Sequence, residues 1–340
     1  MKDMPCKARI DAPGALHHIM VRGIERRVIF RDNRDRMAFL DRLGRVLIET
    51  STPCYAWVLM KNHVHLLLRT GALPIATVMR RVLTGYAQDF NRRYHRHGQL
   101  FQNRYKSVLC EEDAYMLELV RYIHLNPLRA GVVLDLDELD RYRFCGHGVL
   151  LKRFVCKWQD REYVLGLYGT REKEAIFSYR SFVALGLNQG RRPDLIGGGL
   201  VRSAGGWNAL KARRRENRRE KGDERILGRG EFVERVLELA QEQLEQRTRL
   251  FAKGPGLEKL LAQVGDRQGI ATEDLRGSSK VRNVVRAKAL FCYLAVRKLG
   301  YSVAAAARVL GLTPAAVSKA VAKGADVLSA TEATALLTVG

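Results

Sequence analysis

Between Cys54 and Arg69 the chain writes two apolar runs, CYAWVLMK (54–61) and VHLLLR (64–69), separated only by Asn62 and His63. Two strands that close in sequence can pair only as an antiparallel hairpin, and Asn suits its turn. The neighbouring segments arrange themselves around this hairpin. HHIMVRGI (17–24) and QNRYKSVLC (102–110) read as further strands. RDRMAFLDRLGRVLIET (34–50) places Met37, Leu40, Leu43, Val46 and Leu47 at helical spacing. Residues 74–95 form a second helix, with Ile75, Val78, Met79, Val82, Tyr86 and Phe90 on one face. EDAYMLELVRYIHLN (112–126) is a third helix, stopped by Pro127. The order β-α-β-β-α-β plus a helix is the split βαβ pattern. It predicts an α+β fold, a ferredoxin-like antiparallel sheet with helices on one face.

His63 and His65 lie in this hairpin, one residue apart. In a strand, residues i and i+2 share a face about 7 Å apart. Two imidazoles so placed can hold one divalent cation, but the ion needs further ligands. On the third helix Tyr122 and Asn126 are four residues apart and stack on one face, and Tyr115 lies seven before Tyr122 on that same face. The resulting set is two imidazoles, an amide oxygen and a tyrosine hydroxyl. Such a set suits phosphoryl transfer, in which a hard cation neutralises charge at the phosphate and favours a phenolate nucleophile. Magnesium prefers oxygen and manganese tolerates imidazole, so the expected ion is Mg2+ or Mn2+.

The charge of the chain points to the substrate class. Lys and Arg number 59 against 36 Asp and Glu, a net charge of +23 over 340 residues, which is simplest to explain by a polyanionic partner such as nucleic acid. Cys6, Cys54, Cys110, Cys145, Cys156 and Cys292 are scattered without a Cys-x-x-Cys, which argues against a zinc knuckle and a secreted disulfide framework. The N-terminus MKDMPCKARI lacks an apolar core of signal-peptide length, and no run approaches a membrane span. The expected setting is the cytoplasm, near the nucleoid, with no membrane partner.

Three divisions are expected. Residues 1–150 hold the sheet. Residues 151–230 read as a partly structured basic linker that includes IGGGLVRSAGG (196–206) and KARRRENRREKGDER (211–225). Residues 231–340 are helical: 231–265 carry Phe232, Val233, Val236, Leu237 and Leu239, and a long helix spans 281–298. Two short helices follow, joined through Gly311, with Ala307 four before it and Val317 six after it. That spacing fits a helix-turn-helix over 302–323. Thr313 would cap its second helix and Pro314 would open it. Ser318 and Lys319 are candidates to meet DNA.

NHVHLLL (62–68) together with VRYIHLNPLRAGVV (120–133) resembles the HUH single-strand transposases that use one catalytic tyrosine, and most of all the REP-associated tyrosine transposases. The similarity runs over about residues 8–147 and includes RGIERRVIF, QNRYKSV and RYRFCGHG. It implies an HUH nuclease domain with His63 and His65 as metal ligands, Tyr122 as nucleophile and Asn126 as third ligand, where some relatives carry Gln. His124 is the rival ligand and Tyr115 the rival nucleophile. The implied activity is metal-dependent cutting and transfer of single-stranded DNA beside a hairpin through a 5′-phosphotyrosine. Arg104, Lys106 and Arg121 are candidates for the DNA backbone. Residues 281–324 resemble the DNA-binding domain of the bacterial replication initiator, which implies a second contact with double-stranded DNA. The alternative is a non-catalytic DNA-binding regulator derived from a transposase. The oligomeric state stays open.

Overall fold

The structure is a computed structural model that describes residues 10–12, 14–190, 192–197, 223–253, 256–279, 281–299 and 301–324. The chain divides into two units, Met1–Leu237 and Glu238–Gly340.

The first unit is built on the expected hairpin. Strand β1 (Leu16–Arg22) is followed by helix α1 (Asn33–Glu49), β2 (Cys54–Met60), β3 (His63–Arg69), α2 (Ile75–Arg93), β4 (Lys106–Cys110) and α3 (Glu112–His124). The sheet order is β2-β3-β1-β4-β5, in which β1–β3, β1–β4 and β2–β3 are antiparallel. This is the order of the split βαβ pattern. A fifth strand, β5 (Ile226–Leu227), adds parallel to β4. Met60 pairs with His63, so Lys61 and Asn62 alone form the hairpin loop. Neither takes the positive φ that the favoured two-residue hairpin turns require. The loop is pinned from outside instead: the Lys61 carbonyl accepts from the Ile29 and Phe30 amides, and the Asn62 carbonyl from the Gly23 amide.

Helices cover both faces of the sheet, not one. On one face α1 and α2 pack Phe39, Leu43, Val78, Val82 and Tyr86 against Ile19, Leu59 and Leu66. On the other, α3 packs Met116, Leu119, Val120 and Ile123 against Leu16, Val58, Leu67 and Val108. Every residue of β2 is buried as a result, and strands buried on both faces read as continuous apolar runs.

The stretch after residue 150 is more than a linker. Beyond α4 (Asn126–Arg129), α5 (Leu136–Arg141) and α6 (His147–Leu150), helices α7 (Arg161–Gly166) and α8 (Glu172–Leu185) place Val164, Leu165, Ala175, Tyr179 and Val183 in the same core as α3. Leu195 and Leu227 join them. Of the basic run 211–225 only residues 223–225 are described; the rest, like most of 196–206, lies outside the described residues. The outer edge of β2 is also occupied: the Leu59 amide donates to the Phe144 carbonyl at 2.9 Å and the Gly146 amide to the Trp57 carbonyl at 2.9 Å.

Helix α9 (Gly230–Lys253) runs across the boundary between the units, and α10 (Leu257–Gln268) follows. The stretch 231–265, expected to be helical, thus holds two helices. The second unit adds α11 (Arg282–Tyr293), a π-helical turn over Leu294–Lys298, α12 (Val303–Leu310) and α13 (Pro314–Gly324). Ser302 caps α12 through the Ala305 amide. Gly311 ends it at φ 64°, a left-handed position that costs other residues steric energy. Thr313 Oγ1 accepts from the Ala316 amide at 3.2 Å, as its expected capping role requires. Ala307, Leu310, Val317 and Val321 meet Phe291 and Leu294 in one core.

Gly324 lies where α13 crosses α11. A Cβ there would fall 2.2 Å from the Ala289 carbonyl oxygen. Gly324→Ala is expected to destabilise this unit by about 1–3 kcal/mol through overpacking against backbone, read as a lower melting temperature.

Candidate active site

Strand register decides what faces what. His63 and His65 sit on the α3 side of β3, and His65 pairs with Met20 of β1. His18, two residues before Met20, therefore shares that face with them. The His65 ring lies 5.2 Å from that of His63 and 5.2 Å from that of His18. Tyr122 of α3 closes the group: its ring centroid is 5.9 Å from His65 and 5.9 Å from His18, both edge-on. The structure thus brings together His63, His65 and Tyr122, far apart in sequence, and adds His18.

Hydrogen bonds fix these side chains. The Asn62 carboxamide donates to the Arg26 carbonyl at 2.9 Å, so its Oδ1 faces His63 Nδ1, 2.8 Å away. An amide oxygen only accepts, so His63 Nδ1 carries the proton and Nε2 keeps its lone pair. His65 Nδ1 lies 2.9 Å from His18 Nε2. Burial, then the Arg22 charge, pushes His63 down to about 4. Burial also drives His65 well below the usual imidazole value and His18 down to about 4. Neutral imidazoles are the metal-binding form.

Asn126 follows α3 directly. Its Nδ2 donates to the Tyr122 carbonyl at 2.8 Å and the Ile123 carbonyl at 3.2 Å. Its nitrogen is thereby committed to the helix end, which turns Oδ1 away from these carbonyls. Among the described residues no group of three His, Cys, Asp or Glu side chains is arranged to hold a metal ion. Burial pushes the Tyr122 phenol above its usual value, opposed by Arg129, whose guanidinium carbon lies 5.3 Å from the ring centroid. His124 turns elsewhere: it is fully buried, with Nδ1 2.8 Å from the Tyr179 hydroxyl. Tyr115 is half-buried against the α3-side core.

The candidate DNA contacts divide. Arg104 and Lys106 line a groove of about 1190 Å³ between α2 and the 99–107 segment, with Arg80, Phe101, Tyr105 and Arg225 also in its wall. None of His63, His65, Tyr122 and Asn126 lines it. Arg121 does not serve as expected. It is 5 % exposed, paired with Glu118 at 2.6 Å, and its guanidinium stacks 4.0 Å from the Phe182 ring. An Arg held this way braces the fold. Ser318 and Lys319 are exposed on α13.

Residues 13–126 match the family model described as IS200-like transposase. This part of the chain is similar to that family. The match covers the hairpin, both site histidines, Tyr122 and Asn126, and agrees with the resemblance drawn from NHVHLLL and VRYIHLNPLRAGVV. Five solved chains are similar to the protein. One is the REP-associated tyrosine transposase bound to a REP hairpin, 16% identical, covering 46% of this chain and 94% of that one, with a TM-score of 0.37. No curated protein matches. Among the described residues no helix is long and apolar enough to cross a membrane.

Sequence alone does not single out His18, Asn62 and Arg129 as parts of this candidate site. His18 was within reach: once β1 and β3 are neighbours, its alternation puts it on the face of His65. Asn62 gives only a turn signal in the sequence. The Arg129 contact depends on how α4 leaves α3, which local pattern does not specify.

Proposed function

We propose that the IS200-like domain is a divalent-metal-dependent endonuclease and strand transferase acting on single-stranded DNA beside a hairpin, in the manner of the REP-associated branch. The observation that carries this reading is the packing of Tyr122 edge-on to His65, on the sheet face shared with His63. His63 Nε2, His65 and Asn126 Oδ1 are the donors that would hold Mn2+ or Mg2+, and the two nitrogens favour Mn2+. When bound, that ion neutralises charge developing on the scissile phosphate and favours ionisation of a nearby phenol.

The remaining chemistry belongs to the chain. The Tyr122 hydroxyl loses its proton and its oxygen forms the bond to phosphorus. The bond from phosphorus to the 3′ oxygen breaks, and that oxygen takes up a proton as a free hydroxyl. The 5′-phosphotyrosine keeps the bond energy for rejoining without ATP. Arg129, over the Tyr122 ring, opposes the effect of burial and favours the phenolate. Arg104 and Lys106 in their groove suit contact with the strand's phosphates.

Mass spectrometry of the protein incubated with Mn2+ and hairpin oligonucleotides tests this. A covalent DNA adduct on Tyr122 supports it. Tight hairpin binding with no adduct would overturn it in favour of a non-catalytic regulator.

The C-terminal pair α12–α13 suits a contact with double-stranded DNA, because Ser318, Lys319 and Lys323 are exposed on α13 while Val317 and Val321 are buried. Lys319→Ala is expected to weaken duplex binding and lower the slope of log K against log salt by about 1. An unchanged slope in a salt titration would remove Lys319 from the interface.

A further inference from the structure

His18 Nδ1 lies 3.1 Å from the Leu195 carbonyl oxygen, and His18 Nε2 lies 2.9 Å from His65 Nδ1. Both bonds are buried. A carbonyl oxygen accepts and never donates, so the His18 proton must sit on Nδ1. The ring is 0 % exposed and its two bonds go to a carbonyl and an imidazole, neither of them an anion. A second proton would place an unpaired charge in the interior. His18 Nε2 is therefore a lone pair, and His65 Nδ1 must donate to it. That leaves His65 Nε2 bare, the same tautomer that Asn62 imposes on His63.

The Leu195 carbonyl is itself held in place. Arg192 pairs with Glu118 of α3 at 3.0 Å and with Asp194 at 2.8 Å, and Glu118 also holds the buried Arg121. Gln189 Oε1 accepts from both arginines. Gln189 and Arg192 are thus bolted to the helix that carries Tyr122, and Leu195 nearby touches the first strand at His18.

We propose that His18, oriented by the Leu195 carbonyl, is a positioning residue that locks His65 in the tautomer with a bare Nε2, so that a segment beyond the family match prepares the metal site. This rests on His65 being a metal ligand, as proposed above. Partners of this kind on the second ring nitrogen of a ligand are typically worth about 10–100-fold in metal affinity.

The test uses the full chain at fixed neutral pH, without DNA. Nitrogen-15 NMR of labelled histidines should show His18 and His65 both protonated at Nδ1. Mn2+ titration should show affinity falling about 10–100-fold in His18→Phe, which cannot accept a hydrogen bond, and largely restored in His18→Gln, whose amide oxygen can. A His65 proton found on Nε2 in the wild-type protein would overturn the proposal without any variant. So would a folded His18→Phe that keeps wild-type Mn2+ affinity. A wild-type protein with the stated tautomers but no Mn2+ affinity would instead overturn the metal reading, and would leave the His18 chain without a positioning role.

Discussion

Tyr122→Phe is expected to abolish the covalent DNA adduct and to lower strand cleavage by about 10³-fold or more, the scale seen when a nucleophile is removed. Hairpin binding should change little. The substitution removes one oxygen and keeps the ring whose edge packs against His18 and His65. The folded core should therefore survive, and loss of chemistry can be separated from loss of structure. Two measurements on one preparation decide the matter: denaturing electrophoresis for the adduct with Mn2+, and hairpin affinity in its absence. An adduct that persists in Tyr122→Phe would move the nucleophile to Tyr115, two turns earlier on α3. Binding that collapses together with cleavage would mean the ring serves DNA recognition.

Acidification from pH 7 to pH 5 is expected to cost several kcal/mol of stability in the first unit. Burial lowers the proton affinity of His18, His63, His65, His124 and His147, and the first two fall to about 4. An unfolded imidazole titrates near 6.5. Between those values the unfolded chain binds more protons than the folded one, so stability falls as pH falls. It is fully present above about 6.5 and is progressively lost on the way to 4. Each such imidazole contributes up to about 1.4 kcal/mol per pH unit across that window. Several acting together rival the roughly 5–15 kcal/mol that holds a domain folded. Melting temperatures at pH 7.5, 6.5, 5.5 and 4.5 would show a decline beginning just below 6.5. A flat profile down to pH 5 would mean that these rings are hydrated or charged in the native protein.

Much of the sheet and its histidines was legible in the sequence because their signals are local. Two apolar runs separated by two residues specify a hairpin, and alternation places His63 and His65 on one face. The i, i+4 spacing from Tyr122 to Asn126 and the Gly311-Thr313-Pro314 turn are likewise properties of short segments. The second helical layer was harder. In α8 the buried stripe is Ala175, Tyr179 and Val183, yet Phe177 and Leu185 are about three-quarters exposed. Apolar residues on both sides blur the helical period, so the segment reads as weak structure. Its role becomes visible only when Tyr179 meets His124 and His147 in the core. Arg121 misled for a related reason. Its charge suggests solvent, but its partners Glu118 and Phe182 are fixed by helix packing, which a linear reading does not contain.

The occupied edge of β2 bears on self-association. A bare edge strand is a template onto which a second copy can add its own strand. Here the backbone groups that would recruit it are already engaged by the chain itself, through Phe144, Gly146 and Asp160, whose amide donates to the Cys54 carbonyl. A second copy extending the sheet past β2 would first have to displace these bonds.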